Sequence, residues 1–287
     1  MINQKKFDMP HGTDIAWCPG CGNFPILNIL KTALADLGYA PEQVVLVSGI
    51  GQAAKTPHYV KTHVFNGLHG RSLPAATAIK LSNPKLKVIA ESGDGDTYGE
   101  GGNHFMHTIR RNPGILNIVH NNMIYGLTKG QASPTSQKGL QTPVQVNGVV
   151  MEPFNPIAVA ISLGASFVAR ANAGNVAQAI EIFKQALAWE HGYALIDVFQ
   201  PCVVFNKINT YQWFSGNTYF LDATSHDPTD RMKAMELAFA TDKMPLGVIY
   251  ADSTREPYEM LIRSTDMPLY QRPLDEQAFS ELLQSFV

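Results

Sequence analysis

Four short runs, Val44–Val47, Lys87–Ala90, Ile115–Val119 and Tyr193–Val198, are apolar almost throughout. That is the pattern of strands covered on both faces, as in a parallel sheet, and a further strand reads around Ser166–Ala169. Between these runs apolar residues recur at helical spacing. Ile26, Leu27, Leu30, Ala33, Leu34 and Leu37 mark a helix that Asn23 can cap, with Pro25 near its first turn and Gly38 as its stop. Ala75, Ala76, Ala78, Ile79 and Leu81 mark a second, and Gly101–Arg111, Pro156–Leu163 and Asn175–His191 read as three more. Strands alternating with helices predict an α/β fold, a doubly wound and mainly parallel sheet. Past Asn206 the pattern weakens to one helix at Arg231–Ala240, a short strand at Gly247–Tyr250 and an amphipathic end at Asp275–Phe286. The expected division is therefore an α/β domain over residues 1–205 and a C-terminal arm or subunit-contact region over residues 206–287. From Gln131 to Pro156 the chain is irregular and long for a connection, as functional loops are, and closure of residues 131–153 as a lid is left open.

Composition narrows the function classes. With 22 Lys and Arg against 24 Asp and Glu in 287 residues, the net charge of −2 gives no broad field for nucleic acid or an anionic membrane. No apolar run approaches the ~20 residues that span a bilayer, and Met1–His11 has no secretory apolar core, so a cytoplasmic location is expected. Three cysteines argue for a redox or metal role over a disulfide framework.

The candidate chemistry sits at strand ends. Glu91-Ser92-Gly93-Asp94-Gly95-Asp96 and His120-Asn121-Asn122-Met123-Ile124-Tyr125-Gly126 each close an apolar run. They put Asp94 and Asn122 at the carboxyl edge of the sheet, where open α/β folds bind ligands. Hard oxygen donors suit Mg²⁺ or Ca²⁺, and a magnesium ion with few protein ligands also holds phosphate oxygens. The pair thus suggests a metal-bridged diphosphate site, against the plainer reading of a glycine turn with solvated aspartates. Cys18 and Cys21 lie just before a helix amino terminus, where the backbone dipole favours thiolate. Such a pair also suits a thiol-disulfide oxidoreductase, half a zinc site or two inert thiols. Residues 1–16 offer no strand of the thioredoxin kind, and Cys202 leaves another strand end. Trp189 and Trp213 read as packing residues.

Gly93-Asp94-Gly95 followed 28 residues after Asp94 by Asn122 resembles the thiamine diphosphate motif. Trp17-Cys18-Pro19-Gly20-Cys21-Gly22, Gly49-Ile50-Gly51, His69-Gly70-Arg71 and Tyr125-Gly126-Leu127-Thr128 join it in order between Ala16 and Cys202. Together they resemble the beta subunit of 2-oxoacid:ferredoxin oxidoreductases. The resemblance implies the diphosphate-binding half of a thiamine diphosphate fold, with Mg²⁺ held by Asp94, Asn122 and the Ile124 carbonyl. Cofactor contacts would come from Trp17, Cys18, Gly49, Ile50, Gly51, His69, Gly70, Gly93, Asp94, Gly95, Asp96, Asn122, Ile124, Tyr125, Gly126, Leu127 and Thr128.

It also implies a 4Fe-4S cluster on four cysteines. Cys18, Cys21 and Cys202 are present, but Gln52 stands where the remaining cysteine is expected, and His58 is a nearby alternative ligand. Lys55 and Lys129 are candidates for the distal carboxylate of a dicarboxylic 2-oxoacid, and His69 for diphosphate or substrate. The implied reaction is oxidative decarboxylation of 2-oxoglutarate to succinyl-CoA, with electrons passed to ferredoxin, or its reversal to fix CO2. Pyruvate or another 2-oxoacid, and a non-redox thiamine decarboxylase, are the rival readings. The implied assembly contains two alpha and two beta subunits, with the pyrimidine-binding domain on the alpha subunit, without which no activity is expected.

Overall fold

The computed structural model describes residues 3–10, 13–222, 224–240, 242–262 and 267–286. Residues 1, 2 and 11 of the polar start lie outside the described residues. The strands are β1 (Val44–Ser48), β2 (His63–Asn66), β3 (Lys87–Gly93), β4 (Ile115–Asn121), β5 (Phe167–Asn172), β6 (Ala194–Phe199), β7 (Thr218–Phe220) and β8 (Met244–Ala251). The helices are α1 (Asn23–Asp36), α2 (Ser72–Ser82), α3 (Gly102–Arg111), α4 (Pro156–Ser162), α5 (Val176–Leu187), α6 (Tyr211–Gly216), α7 (Arg231–Ala238), α8 (Tyr258–Leu261) and α9 (Glu276–Gln284). One eight-stranded sheet runs in the order β2-β1-β3-β4-β6-β5-β8-β7. Its pairings are parallel except that of β5 with β8.

Side-chain alternation on the strands explains why their runs are unbroken. On one face Leu46, Ile118, Ile196 and Val198 pack with Ile26, Leu30 and Leu34 of α1 and Phe183 and Leu187 of α5. On the other, Val47, Val88, Val119 and Leu195 pack with Leu73 of α2, Phe105 and Ile109 of α3 and Ile157 of α4. Both faces are dry, so every position of β1, β4, β5 and β6 is buried. Each such side chain contributes about 1.5–3 kcal/mol of transfer free energy. The doubly wound, mainly parallel sheet expected from the pattern is the sheet found.

Three boundaries differ from expectation. α1 is preceded by Gly22 rather than capped by Asn23, because the Asn23 side chain turns inward to a buried histidine described below. α5 stops at Leu187 instead of reaching His191. Trp189 leaves the helix path to pack on Phe167, with ring centroids 5.3 Å apart, and donates Nε1–H to Ser166 Oγ at 3.0 Å. Trp213 packs edge-on to Phe214 at 5.2 Å, as a packing residue should.

The third difference concerns residues 206–287, read as an arm. β8 enters the main sheet and carries β7 beside it, so a boundary at residue 205 cuts one continuous sheet. Beyond β8, buried Glu259 of α8 accepts from the Gly114 amide and ties that stretch to the domain, whereas Phe279, Leu282 and Leu283 of α9 are exposed. No helix among the described residues is long and apolar enough to cross a membrane.

Candidate functional site

From β1 the chain steps outward to β2, then returns across β1 to β3. The loops leaving β1 and β3 therefore diverge, opening a crevice at the carboxyl edge of the sheet. This crevice is a cleft of about 890 Å³, counting the space at its mouth. Its walls include Trp17, Cys18, Cys21, Ile50, Gly51, His69, Gly93, Asp94, Gly95, Asp96, Asn122, Ile124, Tyr125, Gly126, Leu127, Thr128 and Cys202, all expected from the sequence. Gly49 and Gly70 stand in the same two loops but behind the lining. Lys55, Lys129 and His58 do not line it: Lys55 is half-buried, while Lys129 and His58 are exposed.

Asp94 ends β3 and opens a wide turn over Gly95–Glu100 that leads into α3. Its carboxylate is 1 % exposed, and Oδ2 accepts from Ser133 Oγ at 2.5 Å and Thr135 Oγ1 at 2.6 Å. Burial pushes the Asp94 carboxyl up to about 6, against these hydroxyls, with the Asp197 charge adding to the rise. No cationic side chain pairs with it among the described residues. A buried carboxylate with neutral donors alone fits a place where a metal ion supplies the missing positive charge. Across the cleft, Met123 takes a left-handed conformation (φ 57°), and Asn122 Oδ1 accepts from Ile124 N at 3.0 Å. Such backbone in a non-glycine residue is held by its surroundings and clusters at functional sites. Asp94, Asn122 and Ile124 line the one cleft and carry oxygen atoms of the hard kind that Mg²⁺ takes.

Asp96, two residues on, does a different job. Its Oδ1 accepts from the Ile50 amide at 2.9 Å and the Gly70 amide at 2.8 Å, and His69 Nδ1 lies 2.9 Å from it. One carboxylate thus ties together the Gly-Ile-Gly and His-Gly-Arg loops. The knot dictates both glycines: a Cβ on Gly49 would overlap the Asp96 carboxylate, and one on Gly70 (φ 70°) would overlap the Glu100–Gly101 backbone. Tyr125 donates its hydroxyl to Glu100 Oε2 at 2.9 Å, and His69 Nδ1 lies 3.5 Å from the same carboxylate, closing the rim.

Behind Asp94 a ladder of buried polar groups runs through the sheet. Thr135 Oγ1, whose single proton serves Asp94, also lies 2.9 Å from Asn121 Oδ1, and Asn121 Nδ2 donates to Asp197 Oδ1 at 3.1 Å. Asp197 accepts as well from Tyr98 Oη at 3.0 Å and Arg170 Nε at 3.4 Å. Burial holds the Asp197 carboxyl above its ordinary value despite the Arg170 charge. A second chain bridges strands to α1: Glu91 Oε1 lies 2.8 Å from His120 Nε2, and His120 Nδ1 lies 2.9 Å from Asn23 Oδ1. Sequence reasoning missed Ser133, Thr135, Asn121, Asp197 and Asn23, of which only Asn121 carried a signal, as the neighbour of Asn122.

The cysteines converge on the opposite wall. Cys21 N donates to Cys18 O at 3.0 Å, and Gly22 N to Pro201 O at 3.5 Å, which lays the Cys18–Cys21 turn beside Cys202. Cys18 is exposed, whereas Cys21 and Cys202 are half-buried. Burial pushes the Cys21 thiol up to about 11, with the neighbouring Cys202 and Cys18 raising it further and the Asn23 backbone opposing. The helix-start thiolate expected from the sequence is therefore not met at Cys21 without a metal on its sulfur. Trp17 Nε1 donates to the Gln52 carbonyl at 2.8 Å, placing Gln52 in the same wall. No group of three or more His, Cys, Asp or Glu among the described residues is gathered to hold a single metal ion. Three thiols lining one cleft are soft donors of the kind that iron–sulfur clusters take.

The profile of the family "Thiamine pyrophosphate enzyme, C-terminal TPP binding domain" matches residues 45–198, and that of the C-terminal region of the pyruvate ferredoxin oxidoreductase beta subunit matches residues 202–266. The 2-oxoacid:ferredoxin oxidoreductase subunit beta of Saccharolobus solfataricus is 44 % identical over 262 residues, covering 86 % of this chain and 85 % of that one. The 2-oxoglutarate synthase subunit KorB of Archaeoglobus fulgidus is 37 % identical, covering 67 % of this chain and 71 % of its own. Among solved structures, the 2-oxoglutarate:ferredoxin oxidoreductase from Magnetococcus marinus, with 2-oxoglutarate, coenzyme A and succinyl-CoA bound, superposes with a TM-score of 0.90 at 34 % identity. It covers 98 % of this chain and 96 % of that one.

Proposed function

The chain belongs to the beta-subunit family of the 2-oxoacid:ferredoxin oxidoreductases, and we propose that it anchors thiamine diphosphate through Mg²⁺ and passes electrons from 2-oxoglutarate to ferredoxin through an iron–sulfur cluster. The observation that carries this reading is Asp94: a 1 % exposed carboxylate, held only by hydroxyls and a backbone amide, at a strand end facing Asn122 and Ile124. Thiamine diphosphate supplies the electron sink for decarboxylation once bound. The residues of this chain do the rest. Asp94, Asn122 and the Ile124 carbonyl hold the metal. Asp96 fixes the two loops on either side, and Ile50, Leu127, Val203 and Phe205 give the cleft an apolar lining. Cys18, Cys21 and Cys202 hold the cluster against the same cleft, so the electron path out is short. Relatives named for 2-oxoglutarate support that substrate over pyruvate. Lys55 is the proposed partner of its distal carboxylate, with Lys129 and His69 as further contacts.

The site is completed by an alpha subunit, in an assembly of two alpha and two beta subunits. Exposed Val144, Val146, Val150 and Met151 on the long loop, and Phe279, Leu282 and Leu283 on α9, support a large contact surface. The described end of the region read as an arm is proposed to serve that contact. The test is Mg²⁺-dependent binding of thiamine diphosphate to the complex, with ferredoxin-linked turnover of 2-oxoglutarate and pyruvate compared. Asp94→Ala should abolish binding, and an Asp94→Ala protein with unchanged affinity would refute the assignment.

A further inference from the structure

We infer that Gln52 leaves one iron of the cluster without a thiolate, so that this iron alone is exchangeable and is released on one-electron oxidation. The inference rests on the cluster reading above and concerns which corner of the cluster differs. A cubane has four irons, each needing a ligand beyond its sulfides. The chain has three cysteines in all, and all three line the cleft. Gln52 lines the same wall, its carbonyl pinned by Trp17 beside Cys18.

The Gln52 side chain is the second observation. Its Oε1 is buried and has no hydrogen-bond donor among the described residues. The Oε1 of Gln200, which lines the cleft just before Cys202, is in the same condition. A buried acceptor left unsatisfied costs about 1–3 kcal/mol, and a cation bound at Gln52 Oε1 removes that penalty. An amide oxygen is a neutral, hard donor where thiolate is charged and soft, so it grips a cluster iron less firmly. His58 is exposed and outside the lining, so it does not replace the thiolate.

Two consequences follow from this donor set. With three thiolates in place of four, the cluster site carries one negative charge fewer, which raises its reduction potential. The weak corner also opens to oxidants: [4Fe–4S]²⁺ gives [3Fe–4S]⁺, Fe²⁺ and one electron, the electron passing to the oxidant. Addition of Fe²⁺ and a one-electron reductant reverses the step.

The experiment uses the anaerobically purified complex with its alpha subunit, titrated with ferricyanide while iron and acid-labile sulfide are counted and the EPR spectrum is followed. The wild type should lose one iron in four and gain the near-isotropic signal of an oxidised three-iron cluster, reversed by Fe²⁺ and dithionite. Gln52→Cys should slow that loss at least about tenfold and lower the midpoint potential. Gln52→Ala should lose iron faster than the wild type. Four irons held by the wild type under the oxidant that strips Gln52→Ala would support the amide as ligand but overturn its lability. Four irons held equally by all three proteins would overturn the inference and leave the cluster reading intact. No iron in the wild type and none in Gln52→Cys, with thiamine diphosphate still bound, would overturn both.

Discussion

Replacing Asp96 with alanine separates the two aspartates of the Gly-Asp-Gly-Asp turn. The carboxylate accepts from two backbone amides, Ile50 and Gly70, at 2.9 and 2.8 Å, and the part-exposed His69 lies 2.9 Å away. Hydrogen bonds to a charged partner contribute about 1.5–3 kcal/mol each, and a buried amide left without an acceptor costs a similar amount. Counting the two amides and discounting the solvated His69 contact, Asp96→Ala should destabilise the protein by about 3–5 kcal/mol. At about 2 °C per kcal/mol for a chain of this size, the melting temperature should fall by about 6–10 °C. Asp96→Asn keeps an acceptor oxygen for both amides and puts its NH2 where Oδ2 has no donor now, so it should cost about 1–2 kcal/mol. Thermal unfolding reports both values, and titration with thiamine diphosphate and Mg²⁺ reports whether the untied loops still form the cleft. An Asp96→Ala protein that melts with the wild type would show that the two loops are held by something other than this carboxylate.

Further outcomes are expected. Because the Asp94 carboxyl is raised from 3.8 to about 6, the metal-free folded chain holds a proton that the unfolded chain releases. Its stability without divalent metal should be greatest below the unfolded value and fall as pH rises through about 6, a drop that Asp94→Asn removes. The same proton competes with Mg²⁺, so metal-dependent cofactor affinity measured by calorimetry should fall about tenfold per pH unit below that value. Gly70→Ala meets both a left-handed backbone and the Glu100–Gly101 main chain, and should lower stability by at least about 2 kcal/mol in denaturant titrations. Asp197→Ala strands the buried Arg170 and frees Asn121, and should destabilise by about 3–5 kcal/mol. Its thiamine diphosphate affinity should fall too, because Asn121 steadies Thr135 and Thr135 steadies Asp94; unchanged affinity would break that chain of reasoning.

The strands that carry the site were legible because they are buried on both faces, and unbroken apolar runs survive in the sequence as a local signal. The places of Asp94 and Asn122 in the cleft were legible because each lies within four residues of the end of such a run. Ser133 and Thr135 were not: they meet Asp94 from 39 and 41 residues away, out of an irregular loop with no period to read. Asp197 looks like one polar interruption in β6 until Tyr98, Asn121 and Arg170 are folded around it. β8 was visible as a strand, but its antiparallel pairing with β5 depends on chain reversal between β6 and β7, across α6, which no pattern of hydrophobic residues encodes. Asn23 has the right chemistry for a helix cap, and only the presence of His120 beneath it shows why it serves elsewhere. The orientation of Lys55 and Lys129 depends on loop geometry in the same way.

The grip of Ser133 and Thr135 on Asp94 Oδ2 would make loading of the proposed metal an exchange and not a simple addition. On that proposal an incoming cation would compete with two hydroxyl protons for one carboxylate oxygen. Capture of the metal should then saturate with metal concentration, at a ceiling set by how often residues 133–136 let go.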